Sequence, residues 1–194
     1  MNMNKLLIAL LGAMAFCGAA NAAVLSTTNV APHNIVTDFS TDALVAFNLD
    51  VAQLRNTKLT YTIEASDLAN PFLNFNAVIN NLSGKALSSF GFMLEGIAFG
   101  GADGSVTPQF GTVGSISATP AKLGITFSQP EYAELHIGNP FELAGKFDWQ
   151  LSTAGLNVGD QFSITADVPE PGNIALMLAG MGAVALVRRR RKQA

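Results

Sequence analysis

Cysteine and histidine are scarce in this chain, and their scarcity argues against several kinds of functional site. The 194 residues include one cysteine, Cys17, and two histidines, His33 and His136. A disulfide-rich scaffold needs many cysteines, and a zinc site needs clustered cysteine and histidine ligands. The short motifs of serine hydrolases, zinc metalloproteases and dithiol redox proteins are missing as well. We therefore predict no catalytic residues, no metal ligands and no cofactor, and hence a protein that is not an enzyme.

Positive charge is also scarce, except at the two ends of the chain. Six of the 11 basic residues are Lys5 and residues 188–192, whereas all 14 acidic residues lie between Asp38 and Glu170. Residues 23–171 thus contain five basic residues against 14 acidic ones, a formal balance of −9. Binding to nucleic acid depends on basic side chains that neutralise phosphates. The sequence therefore predicts that nucleic acid is not a partner.

The first 22 residues have the three-part layout of a secretory signal peptide. A positive charge at Lys5 precedes the apolar residues 6–16, and Ala20-Asn21-Ala22 places small residues at the positions that a signal peptidase reads. We therefore predict cleavage before Ala23. Because the cysteine lies within the removed segment, the mature protein has none, and its stability must come from core and sheet packing.

A tripeptide, an apolar run and a basic cluster follow one another near the C-terminus. They are Pro169-Glu170-Pro171, residues 174–187 and Arg188-Arg189-Arg190-Arg191-Lys192. As a helix the run spans roughly 21 Å, which is short of the roughly 30 Å hydrocarbon core, so length alone favours a buried helix. Five adjacent cations cannot be packed into a protein interior without partners, however. The pattern therefore predicts a transmembrane helix that is followed by a cytoplasmic stop signal.

This order of tripeptide, apolar helix and arginine block resembles the PEP-CTERM protein-sorting signal of Gram-negative bacteria, also called the ice-binding protein C-terminal motif. The resemblance implies that an exosortase, a membrane protease, recognises Pro169, Glu170 and Pro171 as part of its substrate. It further implies an exported precursor that is anchored in the inner membrane through residues 174–187 and then reaches the cell surface or the extracellular space. Exopolysaccharide is an additional partner that the family implies.

Alternation of apolar and polar residues predicts β-strands through the middle of the chain. We expect an antiparallel β-sandwich of about eight or nine strands over residues 23–167, between a signal peptide at 1–22 and a sorting segment at 168–194. The predicted strands are 35–39, 44–49, 59–63, 72–79, 90–94 with a continuation to 99 after a bulge at Gly96, 124–127, 132–137, 147–151 and 161–166. Turn residues predict loops at 80–84, 100–104, 129–130 and 139–140.

Strand periodicity also assigns individual side chains to faces. On 72–79 the wholly apolar side consists of Leu73, Phe75, Ala77 and Ile79. On 147–151 the shared face of Phe147, Trp149 and Leu151 predicts core packing for both aromatic residues.

Few polar side chains of the middle segment suggest a site. His136 is in phase with Glu134 and Tyr132, which indicates the solvent-facing side of a strand more than a catalytic pair. Asn81-Leu82-Ser83 has the form of a glycosylation sequon, but in this export context we interpret it as a turn. Calcium is the one metal left open, because it binds loop carboxylates. The candidates are Asp67, Asp103, Asp160 and Asp167, although their spacing matches no calcium motif.

Three functions agree with these patterns. The first is a non-enzymatic surface or extracellular-matrix protein that is sorted by an exosortase and associated with exopolysaccharide and biofilm. The second is an exported hydrolase of matrix polysaccharide, for which two carboxylates about 5–10 Å apart in an aromatic-lined cleft would be the sign. The third is a permanently membrane-anchored protein with an outward-facing domain.

Overall fold

Two β-sheets make up residues 23–168, the part of the chain that the structure, a computed structural model, describes. The predicted signal peptide, the tripeptide 169–171, the predicted transmembrane helix and the basic cluster 188–192 lie outside the described residues. Within 23–168 no helix is long and apolar enough to span a membrane. A 3-10 helix occupies Asp67–Ala69, and the strands are β1 (Val24–Asn29), β2 (Ile35–Asp38), β3 (Leu44–Val51), β4 (Thr57–Thr62), β5 (Phe72–Asn81), β6 (Leu87–Glu95), β7 (Ala98–Phe99), β8 (Val106–Pro108), β9 (Thr112–Thr119), β10 (Lys122–Glu131), β11 (Glu134–Ile137), β12 (Trp149–Ser152) and β13 (Gln161–Asp167).

The strands form a six-stranded and a seven-stranded sheet. In the six-stranded sheet the order is β1-β4-β13-β6-β10-β9, and every pair is antiparallel. The seven-stranded sheet has the order β2-β3-β5-β11-β8. Strand β5 is long enough to pair with both β11 and β12, and β7 pairs with β12. The all-β prediction is confirmed.

One pair of strands departs from the predicted antiparallel arrangement. Strands β3 and β5 are parallel, with Leu44 opposite Asn74 and Val51 opposite Asn81. Parallel neighbours need a crossover connection, because a tight hairpin reverses the chain. Strand β4 provides it, since the chain leaves the seven-stranded sheet after β3, adds β4 to the other sheet and returns as β5. The seven-stranded sheet is therefore mixed.

The hydrophobic core lies between the two sheets. Leu73, Phe75, Ala77 and Ile79 are all at most 1% exposed, as the alternation on β5 predicts. The ring of Phe92, from the six-stranded sheet, meets that of Phe75, from the other sheet, edge to face at 5.2 Å between centroids. Aromatic pairs of this geometry contribute about 0.5–1.5 kcal/mol beyond the burial of their area. The aromatic residues thus join the two layers directly.

The number of strands is larger than the sequence predicts, because strands with exposed faces carry a weak hydrophobic signal. Strands β1 and β9, which were not predicted, are the two edges of the six-stranded sheet, and their residues are mostly exposed. They consist largely of serine, threonine and small residues, which gives no apolar stripe to detect. The short strand β8 was missed as well.

Two predicted interruptions of the strands are wrong, the loop at 129–130 and the bulge at Gly96. Gln129 and Pro130 lie inside β10 and not in a loop; Pro130 has no partner in either ladder of this strand, so its missing N–H costs no hydrogen bond. Gly96 is not a bulge within a strand. It has φ +78° and ends β6, after which the chain enters the other sheet as β7. The loops at 100–104 and 139–140 are confirmed, whereas β5 continues through Asn81 before its loop begins.

A buried carboxylate at the end of β10 organises two neighbouring segments. Glu131 is 0% exposed, and its side chain accepts hydrogen bonds from the backbone N–H groups of Phe110, Gly111, Tyr132 and Ala133 at 2.7–2.8 Å. Burial by itself raises the pKa of the Glu131 carboxyl, but the four hydrogen bonds outweigh burial and hold the pKa below its usual range. The charged form of Glu131 is therefore part of the folded structure.

Candidate binding cleft and sorting segment

A cleft opens on the face of the seven-stranded sheet that points away from the core. It consists of two adjoining depressions of about 370 Å³ and 520 Å³, which share Asn139, Glu142 and Asp148. We call this region the outer cleft. Its floor is formed by outward-facing residues of β3, β5 and β12, which are Leu44, Ala46, Asn48, Asn74, Asn76, Val78 and Gln150.

The wall of the outer cleft is the loop 138–148, which joins β11 to β12. Gly138 begins this loop at φ +73°, and an added Cβ there would lie 2.8 Å from the carbonyl oxygen of Phe75. The Asn139 side chain then closes the loop, since its oxygen accepts the Leu143 N–H at 2.7 Å and its amide donates to the carbonyls of Leu143 and Lys146. One side chain thus makes three hydrogen bonds across the loop.

The carboxylate of Asp148 ties this loop to the sheet. Its Oδ1 accepts the backbone N–H of Asn139 at 2.7 Å and the Asn76 side-chain amide at 3.2 Å. Ser105 supports the same segment, because its hydroxyl accepts the Phe147 N–H at 3.0 Å and its carbonyl accepts the Trp149 indole N–H at 3.2 Å. Residues outside the loop, Asn76 and Ser105, therefore help to hold the wall of the cleft in place.

Three phenylalanines stand exposed at the rim of the cleft. Phe39, Phe141 and Phe147 are 53%, 55% and 66% exposed. The prediction that Phe147 packs in the core is wrong, because β12 begins only at Trp149 and the preceding residues belong to the loop. Trp149 and Leu151, at 2% and 0% exposure, are in the core as predicted. Phenylalanine side chains at a cleft offer flat apolar faces to a ligand.

Amide groups line the floor between these rings. The side chains of Asn48 and Asn74 make no hydrogen bond within residues 23–168, and the Gln150 side-chain oxygen accepts only the Ala102 N–H, at 3.1 Å. An amide side chain both donates and accepts hydrogen bonds without carrying charge. The floor is therefore suited to a neutral ligand that has hydroxyl or amide groups.

His136 and Glu134 lie beside the cleft rather than in it. Both project from the outer face of β11, where the His136 Nε2 pairs with Glu134 Oε1. The imidazole ring also meets the Phe141 ring edge to face, with centroids 4.9 Å apart. Tyr132 precedes the strand and is 60% exposed. This placement agrees with the outward polar face that the sequence predicts, and the histidine supports the loop wall.

The four aspartates that the sequence offers for calcium do different things. Asp67 accepts backbone N–H groups, Asp160 accepts the Asn157 N–H at 2.7 Å in a turn, Asp167 pairs with Lys122 at 3.7 Å, and Asp103 lines the outer cleft. Within the described part of the chain, no three His, Cys, Asp or Glu residues are grouped so as to hold a metal ion.

The sequon at the end of β5 is a turn with a buried asparagine. Asn81 is 5% exposed, its oxygen accepts the Ser83 hydroxyl at 2.6 Å, and its amide donates to the Lys85 carbonyl at 2.6 Å. Because the amide nitrogen is occupied inside the fold, the interpretation of this tripeptide as a turn is supported.

The core of the domain includes the first residue of the predicted sorting segment. Val168 is 2% exposed and belongs to the core, although the sequence alone suggests that the sorting segment begins there. The tripeptide 169–171 follows at once in the sequence. The fold and this order of segments define a class of protein, an all-β domain that carries a C-terminal sorting signal.

Comparison with known families identifies the signal. Residues 167–192 match the family model of the PEP-CTERM protein-sorting motif, a range that contains the tripeptide 169–171 and the cluster 188–192. The chain thus carries a PEP-CTERM motif, which implies an exported protein that is processed by an exosortase. No curated protein and no solved structure matches the chain.

Proposed function

We propose that this protein is a non-enzymatic surface or extracellular-matrix protein whose outer cleft binds polysaccharide after an exosortase has processed the precursor. The observation that carries the proposal is the combination, in one cleft, of exposed phenylalanine rings with the side chains of Asn48 and Asn74, which make no hydrogen bond to the described residues. Sugar rings present apolar C–H faces and hydroxyl groups, so such a cleft complements both. Pockets that combine apolar walls with a few polar groups are the usual form of a ligand site.

The charges around the outer cleft limit the kinds of polysaccharide that it can bind. Residues 23–168 contain five basic and 13 acidic residues, and Asp103, Glu142 and Asp148 border the outer cleft against a single cation, Lys146. A negative field of this kind repels uronic-acid and other anionic polymers. The proposed ligand is therefore a neutral or amino-sugar polymer, which the amide floor binds through hydroxyl or amide groups.

A binding experiment with matched variants tests this proposal. The exported protein is passed over immobilised neutral, cationic and anionic polysaccharides, together with the double variant Phe141→Ala/Phe147→Ala and the variant Asn74→Ala. Phe110→Ala is the control, because Phe110 is 68% exposed but does not line the outer cleft. Retention of the wild type and the control, with loss in both cleft variants, supports the proposal. Equal behaviour of all four proteins would contradict it.

A polysaccharide hydrolase is the second candidate, because Glu142 and Asp148 share the cleft with aromatic residues. Glycosidases use two carboxylates, one as acid and the other as base or nucleophile. The Oδ1 of Asp148 is engaged by two N–H donors of the loop, which assigns it a structural role. Release of new reducing ends from a bound polymer, abolished by Glu142→Gln, would favour the hydrolase over the binding protein.

A further inference from the structure

The buried carboxylate of Asp67 has no cationic partner within residues 23–168. The residue is 0% exposed, and none of the ion pairs formed by the described residues includes it. Its Oδ2 accepts the Glu64 N–H at 2.8 Å, and its Oδ1 accepts the backbone N–H of Ala23 at 3.1 Å. A buried charge usually needs a counter-charge, since hydrogen bonds alone replace its hydration incompletely. Asp67 is thus incompletely compensated.

The groups around Asp67 further disfavour its charged form. Burial raises the pKa of the Asp67 carboxyl, the hydrogen bonds from Glu64 and Ala23 act against that, and the nearby charges of Glu64 and Asp42 raise it again. The carboxylates near the site therefore repel the charge of Asp67.

The nitrogen that donates to Asp67 is the one that the predicted signal-peptide cleavage would set free. We propose that removal of residues 1–22 turns the Ala23 nitrogen into an α-ammonium group that forms a buried ion pair with Asp67 and completes the fold. In the cleavage, water adds across the Ala22–Ala23 peptide bond. Ala22 leaves with a new carboxylate, and the released Ala23 amine takes up a proton. An α-amine has a pKa of about 7.7–8.0, so this group is mostly charged at neutral pH.

The geometry needs no rearrangement for this change. The Ala23 side chain is 2% exposed and belongs to the core, which fixes the position of its nitrogen. At 3.1 Å, the existing contact with Asp67 already lies within ion-pair distance. Cleavage therefore adds charge and two further N–H donors to a contact that is already in place.

The two ends of the domain, Ala23 and Val168, lie at opposite ends of the strands in the six-stranded sheet. Val24 is level with Thr62 on β4, which is level with Gln161 at the start of β13, whereas the tripeptide follows the far end of β13. With roughly 3.3 Å per residue along a strand, the two exits are about 20 Å apart. A precursor that retained both apolar segments in one membrane would have to bring two chain ends that are about 20 Å apart to the same membrane surface. Removal of residues 1–22 ends this constraint.

This inference rests on the proposed export through residues 1–22 and is independent of the outer cleft. The test begins with N-terminal sequencing of the exported protein, which should start at Ala23. A variant with Gly-Ser inserted between Ala22 and Ala23 would still be cleaved after Ala22 but would leave the Ala23 nitrogen as a neutral amide. This variant removes the charge of the Ala23 nitrogen but keeps one N–H donor for Asp67. Asp67→Asn and the combination of both changes complete a double-mutant cycle.

We expect the insertion to raise the unfolding equilibrium constant of the exported protein in urea roughly tenfold, and to have much less effect when Asp67 is already Asn.

The ion pair also predicts a pH dependence of stability, because it raises the pKa of the amine in the folded state. The stabilisation by the ion pair is present below the ordinary amine pKa of about 8 and is lost as the pH rises through the raised value. On the acid side it is lost when the Asp67 carboxylate takes up a proton. The insertion variant should lack the loss on the alkaline side.

Additive effects of the insertion and Asp67→Asn would overturn the proposal, as would an N-terminus other than Ala23. If Asp67→Asn does not fold, acylation of the wild-type α-amine at pH 7 decides the question. Acylation at least roughly tenfold slower in the folded than in the urea-unfolded protein supports the ion pair. Equal rates in the two states would refute it, whatever the ligand of the outer cleft proves to be.

Discussion

The backbone N–H of Val168 donates a hydrogen bond of 3.1 Å to the side-chain oxygen of Asn56, a residue 112 positions earlier in the chain. Val168 is also buried, so the domain is held firmly up to the residue before Pro169. Five residues, 169–173, separate Val168 from the apolar run. Fully extended, they span at most about 18 Å. While the run is in the membrane, the domain must therefore stand close to the membrane surface and to the processing enzyme.

This proximity predicts an effect of linker length on processing. Insertion of ten Gly-Ser residues between Val168 and Pro169 should speed up the release of the domain in pulse-chase experiments, because the tripeptide would clear the folded domain. The unfolding midpoint of the domain should not change. An unchanged rate of release would show that the domain does not limit access to the tripeptide.

The mass of the exported protein tests the sorting signal itself. We expect the protein in the medium to end near residues 169–171, and replacement of Pro169 and Pro171 by alanine to retain the precursor in the membrane, since the prolines keep the backbone extended for a protease. Intact-mass spectrometry of the membrane and medium fractions measures both. A mass that retains residues 188–192, found only in membranes, would instead identify a permanent anchor.

Glu131 should make the domain sensitive to acid. The pKa of this carboxyl is lowered in the folded state, so its stabilisation is present above the unfolded-state pKa and is lost as the pH falls through the folded-state value. In Glu131→Gln, the amide nitrogen would face two of the four backbone N–H donors, which should cost about 3 kcal/mol of unfolding free energy at pH 7. Urea unfolding between pH 7 and pH 3 should show a smaller loss on the acid side in this variant. An equal loss in both proteins would assign the sensitivity to other carboxylates.

Asn139 should determine the order of the loop 138–148. Asn139→Ala removes three side-chain hydrogen bonds to Leu143 and Lys146, and each net contribution is about 1 kcal/mol. We expect faster amide hydrogen exchange at Leu143 and weaker polysaccharide binding, with little change in the exchange of the core strands. Asn157→Ala, which removes a side-chain contact to Asp160 in a distant turn, is the control. Unchanged exchange at Leu143 would show that the loop is held by other contacts.

Features that depend on neighbouring residues could be predicted from the sequence, whereas features that depend on distant segments could not. Burial of Leu73, Phe75, Ala77 and Ile79 could be predicted because a strand places alternate residues on one face. Exposure of Phe147 could not, since the periodicity does not show where β12 begins. The edge strands β1 and β9 are mostly exposed and carry no apolar pattern, so the sequence did not predict them. The outer cleft had no signal in the sequence beyond scattered asparagine and phenylalanine residues.

By itself, the sequence determined the all-β class and the PEP-CTERM motif at 167–192, and it predicted the signal peptide and the cleavage before Ala23. These depend on the order and period of neighbouring residues, which are properties of a short stretch of chain. Only the tertiary structure decided the parallel pairing of β3 with β5, the outer cleft and the contact between Ala23 and Asp67. Each of these joins segments far apart in sequence, such as Asn76 and Asp148, which are separated by 72 positions. Strand order and register bring such residues together, and no local pattern encodes either one.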